Sequence, residues 1–107
     1  MVDALSAAAE PTRRRLLQLL AATGPQTVTD LAAHFTVTRP AISQHLAVLA
    51  EAGLVSARRD GRQRFYSVVP AGITRLRAEI DRFWSTELDL LVDDAARSTR
   101  PPPEEQR

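Results

Sequence analysis

Apolar residues recur at helical spacing along most of this chain. The alanine-rich residues 3–9 predict a short first helix, and a leucine-rich segment that ends at Gly24-Pro25 predicts a second. Asp3 stands where an acidic side chain favours the start of the first helix. Glu10-Pro11 interrupts the pattern, and Thr12 is therefore predicted to cap the second helix. The N-terminal part of the chain is expected to be helical.

Two further helices are predicted on either side of a three-residue corner, Phe35-Thr36-Val37. Thr27 caps the first of them, which runs to about His34, and Thr38 caps the second, which runs to about residue 52. Pro40 lies in the first turn of the second helix, where its missing N–H costs nothing. The inward face of that helix consists of apolar residues at i, i+4 and i+7, namely Ile42, Leu46 and Leu49. Two helices that meet at so short a corner form a helix-turn-helix.

The spacing changes from helical to β over residues 54–69. Strands are predicted at 54–59 and 64–69, and Asp60-Gly61 between them is the strongest short signal for a hairpin. Helical spacing returns over 71–94, and residues 96–107, with three consecutive prolines, are expected to form a disordered tail. The order α-α-α-α-β-β-α predicts a mainly α fold with a small β-hairpin, a winged helix-turn-helix, in one domain over residues 1–95.

Composition excludes several classes of function. The 107 residues include no cysteine, so disulfides, zinc ribbons and thiolate sites for metals or redox chemistry are absent. His34 and His45 are the only soft ligands left, and no carboxylates cluster with them by spacing, so no metal site or cofactor is expected. With four glycines there is no glycine-rich phosphate loop, and no catalytic set of serine, histidine and carboxylate is evident. We therefore expect no enzyme activity.

The net charge of +1 conceals an uneven distribution of charge. All 14 basic residues are arginine; one group lies at residues 13–15 and another at residues 58–64. The segment 79–94 carries six acidic residues against Arg82 alone. This polarity favours a basic face for a polyanion, although ordinary solvated surface would have the same composition.

The outward face of the helix after the corner suits contacts with DNA bases. Arginine can bind guanine, glutamine can bind adenine, and serine can bind bases or phosphates in the major groove. Ser43 or Gln44 alone could be filler on a polar face, but together in the N-terminal half of the helix they favour recognition. His45 could contact a phosphate or pack as a satisfied histidine, and both alternatives stay open. The predicted DNA-binding residues of this helix are Thr38, Arg39, Pro40, Ser43, Gln44 and His45.

Four arginines surround the predicted hairpin turn. Their guanidinium groups would reach phosphates or a minor groove, whereas the alternative role is protection of an edge strand by charge. The adjacent helix-turn-helix favours contact with phosphates. These predicted wing contacts are Arg58, Arg59, Arg62 and Arg64.

The residues above resemble the ArsR/SmtB family of bacterial winged-helix repressors. The resemblance covers roughly residues 3–92 and rests on the combination of several motifs. These are the segments 5–14, Leu31-Ala32 with Val37, the run Thr38-Arg39-Pro40-Ala41-Ile42-Ser43-Gln44-His45-Leu46, Leu49, Glu51-Ala52-Gly53-Leu54-Val55, and Asp60-Gly61-Arg62 before Tyr66.

The resemblance implies a cytoplasmic homodimer that represses transcription by occupying an operator and is released by an effector. Family members dimerise through their first and last helices. A long helix that carries Phe83 and Trp84 also has more apolar surface than one small monomer covers, although the stripe could pack within its own chain. The implied interface residues are Leu5, Ile73, Leu76, Ile80, Phe83, Trp84 and Leu88.

Two departures from the family pattern matter. Metal-sensing members carry cysteines, or histidines and acidic residues along the last helix, and this chain has no cysteine and no histidine after His45. No metal-sensing residues carry over, and the effector stays unidentified. Thr36 occupies a corner position where many helix-turn-helices have glycine, and a left-handed threonine would cost about 1 kcal/mol. We therefore expect a corner of a different shape.

The main alternative function is a winged-helix module that binds protein instead of DNA. Such modules usually lack the basic wing and the polar recognition face, and this chain has both. A membrane role is not expected, because no stretch approaches the ~20 apolar residues of a membrane span. Double-stranded DNA and a second copy of the chain are the expected partners.

Overall fold

The computed structural model describes residues 2–98. Its elements follow the predicted order, with four helices before a two-stranded antiparallel hairpin and a long helix after it. They are α1 (Ala4–Ala9), α2 (Pro11–Thr23), α3 (Val28–Ala32), α4 (Arg39–Glu51), β1 (Val55–Asp60), β2 (Gln63–Val68) and α5 (Pro70–Ser98). The chain divides into two compact units, the first ending at Arg77 and the second beginning at Ala78. The winged helix-turn-helix lies in the first unit.

Each of the first four helices begins at a side chain that caps it. Asp3, Thr27 and Thr38 accept the N–H of the residue three positions later, as their residue types predict. The N–H of Ser6 holds the pKa of the Asp3 carboxyl below its ordinary value. Thr12 was wrongly predicted to cap α2. The cap is Glu10, whose Oε1 accepts the N–H of Arg13 at 2.8 Å, because Pro11 already fits the first helical position.

Leucine is the most common residue in the core of the first unit and supplies eight of the twelve buried apolar residues of the described chain. The predicted inward face of α4 is confirmed, since Ile42, Leu46 and Leu49 are each 0% exposed. Burying a side chain of this size contributes about 1.5–3 kcal/mol, so this face alone anchors α4 firmly. The largest fully buried side chains are Leu16, Leu20, Leu31, Ile42, Leu46, Leu49 and Leu54.

The corner between α3 and α4 forms without any left-handed residue. Among residues 2–98 only glycines have positive φ, so Thr36 avoids the strain that a glycine position would impose. Instead the N–H groups of His34 and Phe35 donate to the carbonyls of Leu31 and Ala32, three residues back. α3 therefore ends at Ala32, two residues before the predicted end.

The hairpin turns one residue later than predicted. Asp60 pairs with Gln63, so the two central turn residues are Gly61 and Arg62 and not Asp60-Gly61. Of the two, only Gly61 has positive φ, at 66°, which is the pattern of a type II′ turn. Asp60 stays in the strand because it would otherwise have to adopt positive φ itself.

A third backbone segment pairs with the hairpin and was not predicted. Gln26 and Tyr66 exchange two hydrogen bonds, from Gln26 N–H to the Tyr66 carbonyl at 3.0 Å and from Tyr66 N–H to the Gln26 carbonyl at 2.8 Å. A single paired residue is too short to give a periodic signal in the sequence. The bridge holds the interior of β2 beside the segment that leads into α3.

Gly72 allows a close backbone approach between α5 and the segment after α4. A Cβ built on Gly72 would lie 2.0 Å from the carbonyl oxygen of Gly53, which follows α4 and has φ of 80°. Only glycine at position 72 lets the first turn of α5 rest against the chain that leaves α4. The glycine signal for this contact was present in the sequence but had no predicted partner.

α5 continues to Ser98, so residues 96–98 are helical and not disordered as predicted. The rest of that predicted tail lies outside the described residues. From Phe83 onwards the helix exposes large apolar side chains, with Trp84 54% and Leu91 59% exposed. Within residues 2–98, none of the helices combines the length and apolar character that crossing a membrane requires.

Candidate nucleic-acid interface

The outward face of α4 presents polar side chains on a rigidly held helix. Arg39, Pro40, Ser43 and Gln44 are all exposed, while the opposite face of the helix is fully buried. None of these four side chains has a hydrogen bond or ion pair to another part of the described chain. Thr38 is exposed too, but its Oγ1 already accepts the N–H of Ala41 at 3.3 Å. Four of the predicted residues are therefore free to contact a ligand.

His45 does not lie on that outward face. Its side chain is 22% exposed, and its Nδ1 lies 3.2 Å from an Nη of Arg13 and 3.9 Å from Oε1 of Glu10. Of the two roles predicted for this residue, its position matches a satisfied, packed histidine. Arg13 could not be predicted as its partner from local spacing, because 32 positions separate the two residues.

The arginines at 13–15 contact three different parts of the fold, and Arg14 and Arg15 stay exposed. Arg13 Nε donates to the carbonyl of Ala7 at 2.7 Å, and Arg14 donates to the carbonyl of Ala9 at 2.9 Å. Both therefore satisfy carbonyls at the end of the short helix α1. The Arg15 guanidinium lies 4.8 Å from the centre of the Phe35 ring, in a cation–π contact.

The wing arginines, in contrast, are exposed and have no acidic partner within the described part of the chain. Arg59 and Arg64 lie directly opposite each other in the hairpin and so share one face of it. Arg58 lies on the other face, opposite Phe65, and Arg62 lies at the turn. Like charges directly opposite on a hairpin are destabilising, and an anion bound between them would remove that cost.

Two grooves connect the wing to α4 through the start of α3. One, of about 250 Å³, is lined by residues 27–29 and by residues 62–64 of the wing. The other, of about 500 Å³, lies between Val28 and the first turns of α4, where it is lined by Arg39, Pro40 and Ser43. Because Val28 borders both grooves, the start of α4 and the wing form one continuous surface. Val28 and Thr29 were not predicted to take part, since they precede the corner in sequence.

The predicted dimer residues fall into two groups. Leu76 is buried, whereas Leu5, Ile73 and Ile80 are half-buried. The other predicted residues of α5 are exposed: Phe83 to 44%, Trp84 to 54% and Leu88 to 53%. Phe83 and Trp84 also contact each other edge to face, with ring centroids 5.3 Å apart.

No group of three or more histidine, aspartate or glutamate side chains in residues 2–98 is arranged to hold a metal ion. His34 is exposed in the corner that follows α3 and lines a separate groove of about 270 Å³ that does not include His45. The two histidines are thus not brought together.

A family model described as bacterial regulatory protein, arsR family, matches residues 10–57, from the cap of α2 to the middle of β1. The chain is 46% identical over 85 residues to the HTH-type transcriptional regulator Rv2034 of Mycobacterium tuberculosis, covering 79% of this chain and 78% of that protein. It is 40% identical over 68 residues to the transcriptional repressor SdpR of Bacillus subtilis, covering 64% and 74%.

Solved structures show the same similarity. A crystal structure of a possible transcriptional regulator for arsenical resistance has a TM-score of 0.78 at 61% identity, over 89% of this chain and 98% of that one. An ArsR-like transcriptional regulator from Rhodococcus sp. RHA1 has a TM-score of 0.65 at 25% identity, over 90% of each chain.

Proposed function

The chain belongs to the ArsR family of bacterial regulatory proteins, which are DNA-binding transcriptional regulators and not enzymes, and we propose that it represses transcription as a homodimer on a palindromic operator. Its partner is double-stranded DNA, and its place of action would be the cytoplasm, where a bacterial operator lies. In this proposal α4 enters the major groove and the hairpin contacts the adjacent backbone.

The observation that carries the proposal is the contrast between the two faces of α4. Its inner face is fully buried, while Arg39, Ser43 and Gln44 stand exposed and unpaired in its N-terminal half. The N-terminal residues of a recognition helix are those that contact base edges. A helix held rigidly by its core can present these donors and acceptors in a fixed geometry, which direct recognition requires.

The arginines of the wing support contacts with DNA phosphates that do not depend on the base sequence of the DNA. Arg59 and Arg64 lie on the same face of the hairpin and have no acidic partner in the described chain. Their mutual repulsion therefore destabilises the hairpin in the protein without DNA. Phosphate oxygens would neutralise the pair and release counterions. The groove between Arg62 and Thr29 continues this basic surface toward α4.

The exposed apolar side chains of α5 support the homodimer. Phe83, Trp84 and Leu88 are each about half exposed, and apolar residues clustered along one helix mark an interaction site. A second copy would bring an identical helix, which is the self-complementary arrangement of a two-fold dimer. Such a dimer would bind half-sites about one helical turn apart, ~34–36 Å.

The proposal is tested by quantitative binding to DNA from upstream of the protein's own gene, with shuffled DNA of equal length for comparison. We expect Ser43→Ala with Gln44→Ala to reduce the preference for the operator about tenfold or more, because discriminating contacts with bases are lost. Arg59→Ala with Arg64→Ala should weaken binding to both DNAs alike and lower the salt dependence by about one ion per arginine.

Arg82→Ala is the matched control, since Arg82 is an exposed arginine of α5 outside the proposed DNA-binding surface and lies about half a helical turn away from Trp84. It should leave both affinities nearly unchanged. If the wild-type protein shows no preference for any upstream fragment over shuffled DNA and instead binds a stoichiometric protein partner, the proposal is wrong and the winged helix is a protein-interaction module.

A further inference from the structure

Arg13 joins three helices through its side chain. Its Nε donates to the Ala7 carbonyl of α1 at 2.7 Å, and one Nη lies 3.2 Å from Nδ1 of His45 in the middle of α4. Its own backbone N–H is held by Glu10, the cap of α2. A single guanidinium therefore ties the end of α1 and the start of α2 to the proposed recognition helix.

The contact with Arg13 determines which tautomer the neutral His45 imidazole adopts. A guanidinium has only donors, so Nδ1 of His45 must be the acceptor, and the neutral ring then carries its proton on Nε2. The alternative partner of Nδ1 is Glu10 Oε1, which at 3.9 Å is beyond hydrogen-bond distance, whereas the Arg13 contact at 3.2 Å is within it. The geometry thus selects Arg13 as the partner.

This hydrogen bond differs in kind from the other contacts that hold α4. Ile42, Leu46 and Leu49 anchor the helix by burial, which is non-directional and permits small rotations about the helix axis. A hydrogen bond weakens steeply when its angle or length changes. His45 follows Gln44 directly, so a rotation that broke the Arg13 contact would also turn the side chains that face DNA.

We infer that Arg13 and His45 are positioning residues that set the rotation of α4 for DNA recognition, with His45 acting through Nδ1 and not contacting DNA itself. This inference rests on the proposed function, because positioning matters only if α4 recognises bases. It also assigns a role to Arg13, which sequence clustering placed with a general basic surface.

Two amide substitutions separate this role from a contact with phosphate. Asparagine places its Oδ1 near the position of Nδ1 and can still accept from Arg13, whereas glutamine places its amide near Nε2. We expect His45→Asn to retain operator preference, and His45→Gln and His45→Ala to lose about tenfold of it, the usual effect of one hydrogen bond to a charged group. The salt dependence of binding should not change, because no phosphate contact is lost.

Arg13→Ala should reduce operator preference like His45→Ala, and the double variant should be no worse than either single one. Arg14→Ala is the matched control, since it removes the same charge one residue away and, within residues 2–98, breaks one side-chain hydrogen bond, to the Ala9 carbonyl. The inference is overturned if His45→Gln retains operator preference, His45→Asn loses it, and the salt dependence falls by about one ion, since those results indicate a phosphate contact through Nε2.

The tautomer of His45 supplies a test without DNA. In ¹⁵N NMR of the full chain we expect an unprotonated Nδ1 and a protonated Nε2, and Arg13→Ala should abolish that strict preference while Arg14→Ala preserves it. A protonated Nδ1 in the wild-type protein would overturn the inference even if DNA binding is normal. Conversely, failure of the wild type to prefer its operator would refute the proposed function while the tautomer still reported on the Arg13–His45 contact.

Discussion

The apolar stripes of two helices in this protein differ in their exposure to solvent. In α4 the apolar residues at helical spacing are all fully buried within the first unit. In α5, beyond Ala78, residues at the same kind of spacing stay open to solvent, with Phe83, Trp84 and Leu88 between 44% and 54% exposed. Both stripes look alike in the sequence, so periodicity reveals which face of a helix is apolar but not what covers it.

The difference separates two kinds of stability. The apolar face of α4 contributes to folding of a single chain, whereas an exposed face contributes only once a partner covers it, and then in proportion to protein concentration. α4 is accordingly suited to present base contacts rigidly, and the second half of α5 is suited to bring two copies together. Substitutions in α4, in the first turn of α5 and on its exposed stripe test the two sides of this contrast.

The largest effect is expected from shortening a buried side chain of α4. Leu46→Ala should lower the free energy of unfolding by about 3–5 kcal/mol, because it removes transfer energy and leaves a cavity. Leu88→Ala is the matched change on the exposed stripe, and in dilute protein it should cost well under 1 kcal/mol. Urea denaturation at low protein concentration measures both. Similar losses for the two variants would contradict the contrast.

The next effect tests the first turn of α5, which lies in the first unit. Gly72→Ala should lower the free energy of unfolding by about 3 kcal/mol, because its Cβ would meet the Gly53 carbonyl at 2.0 Å and the backbone would have to shift. Gly24→Ala meets no atom within 4 Å, but its φ of 85° and ψ of −163° lie in a region almost exclusive to glycine, so backbone strain alone should cost about 1–3 kcal/mol. Thermal unfolding measures both variants, and a Gly72→Ala variant as stable as the wild type would show that the close approach is unimportant.

A substitution at Trp84 is expected to change the stability of the folded monomer least, but to weaken dimerisation clearly. Trp84→Glu should weaken dimerisation at least tenfold, because a carboxylate would be buried among apolar side chains. Thr86→Glu adds the same charge about half a helical turn away from Trp84 and should change dimerisation little. Sedimentation at a series of concentrations measures the association. An unaltered dimer in the Trp84 variant would place the interface elsewhere.

Local chemistry explains most of what could be predicted about the fold. Thr27 and Thr38 cap their helices as expected, and Ile42, Leu46 and Leu49 form the inner face of α4. The errors arose where two local signals competed. Glu10 displaced Thr12 as a cap because Pro11 is itself a favourable first residue, and the hairpin turn moved to Gly61-Arg62 because only glycine accepts the positive φ.

The candidate site was predictable only in part. The exposed positions Arg39, Ser43 and Gln44 follow from the helical period once the inner face is known. The partners of His45, the bridge between Gln26 and Tyr66, and the contact of Gly72 with Gly53 depend on segments far apart in the chain. No short-range pattern carries that information.

By itself the sequence determined the order of the elements, the faces of α4 and the group of arginines on the wing. These features depend on interactions within a few residues, such as caps, turns and the helical period. Tertiary structure decided which of these side chains stay free. It turned His45 inward to Arg13, left Arg59 opposite Arg64 without an acidic partner in the described chain, and left the stripe around Trp84 exposed. The reason is that freedom and burial depend on what packs against a side chain, and the residues that pack are distant in sequence.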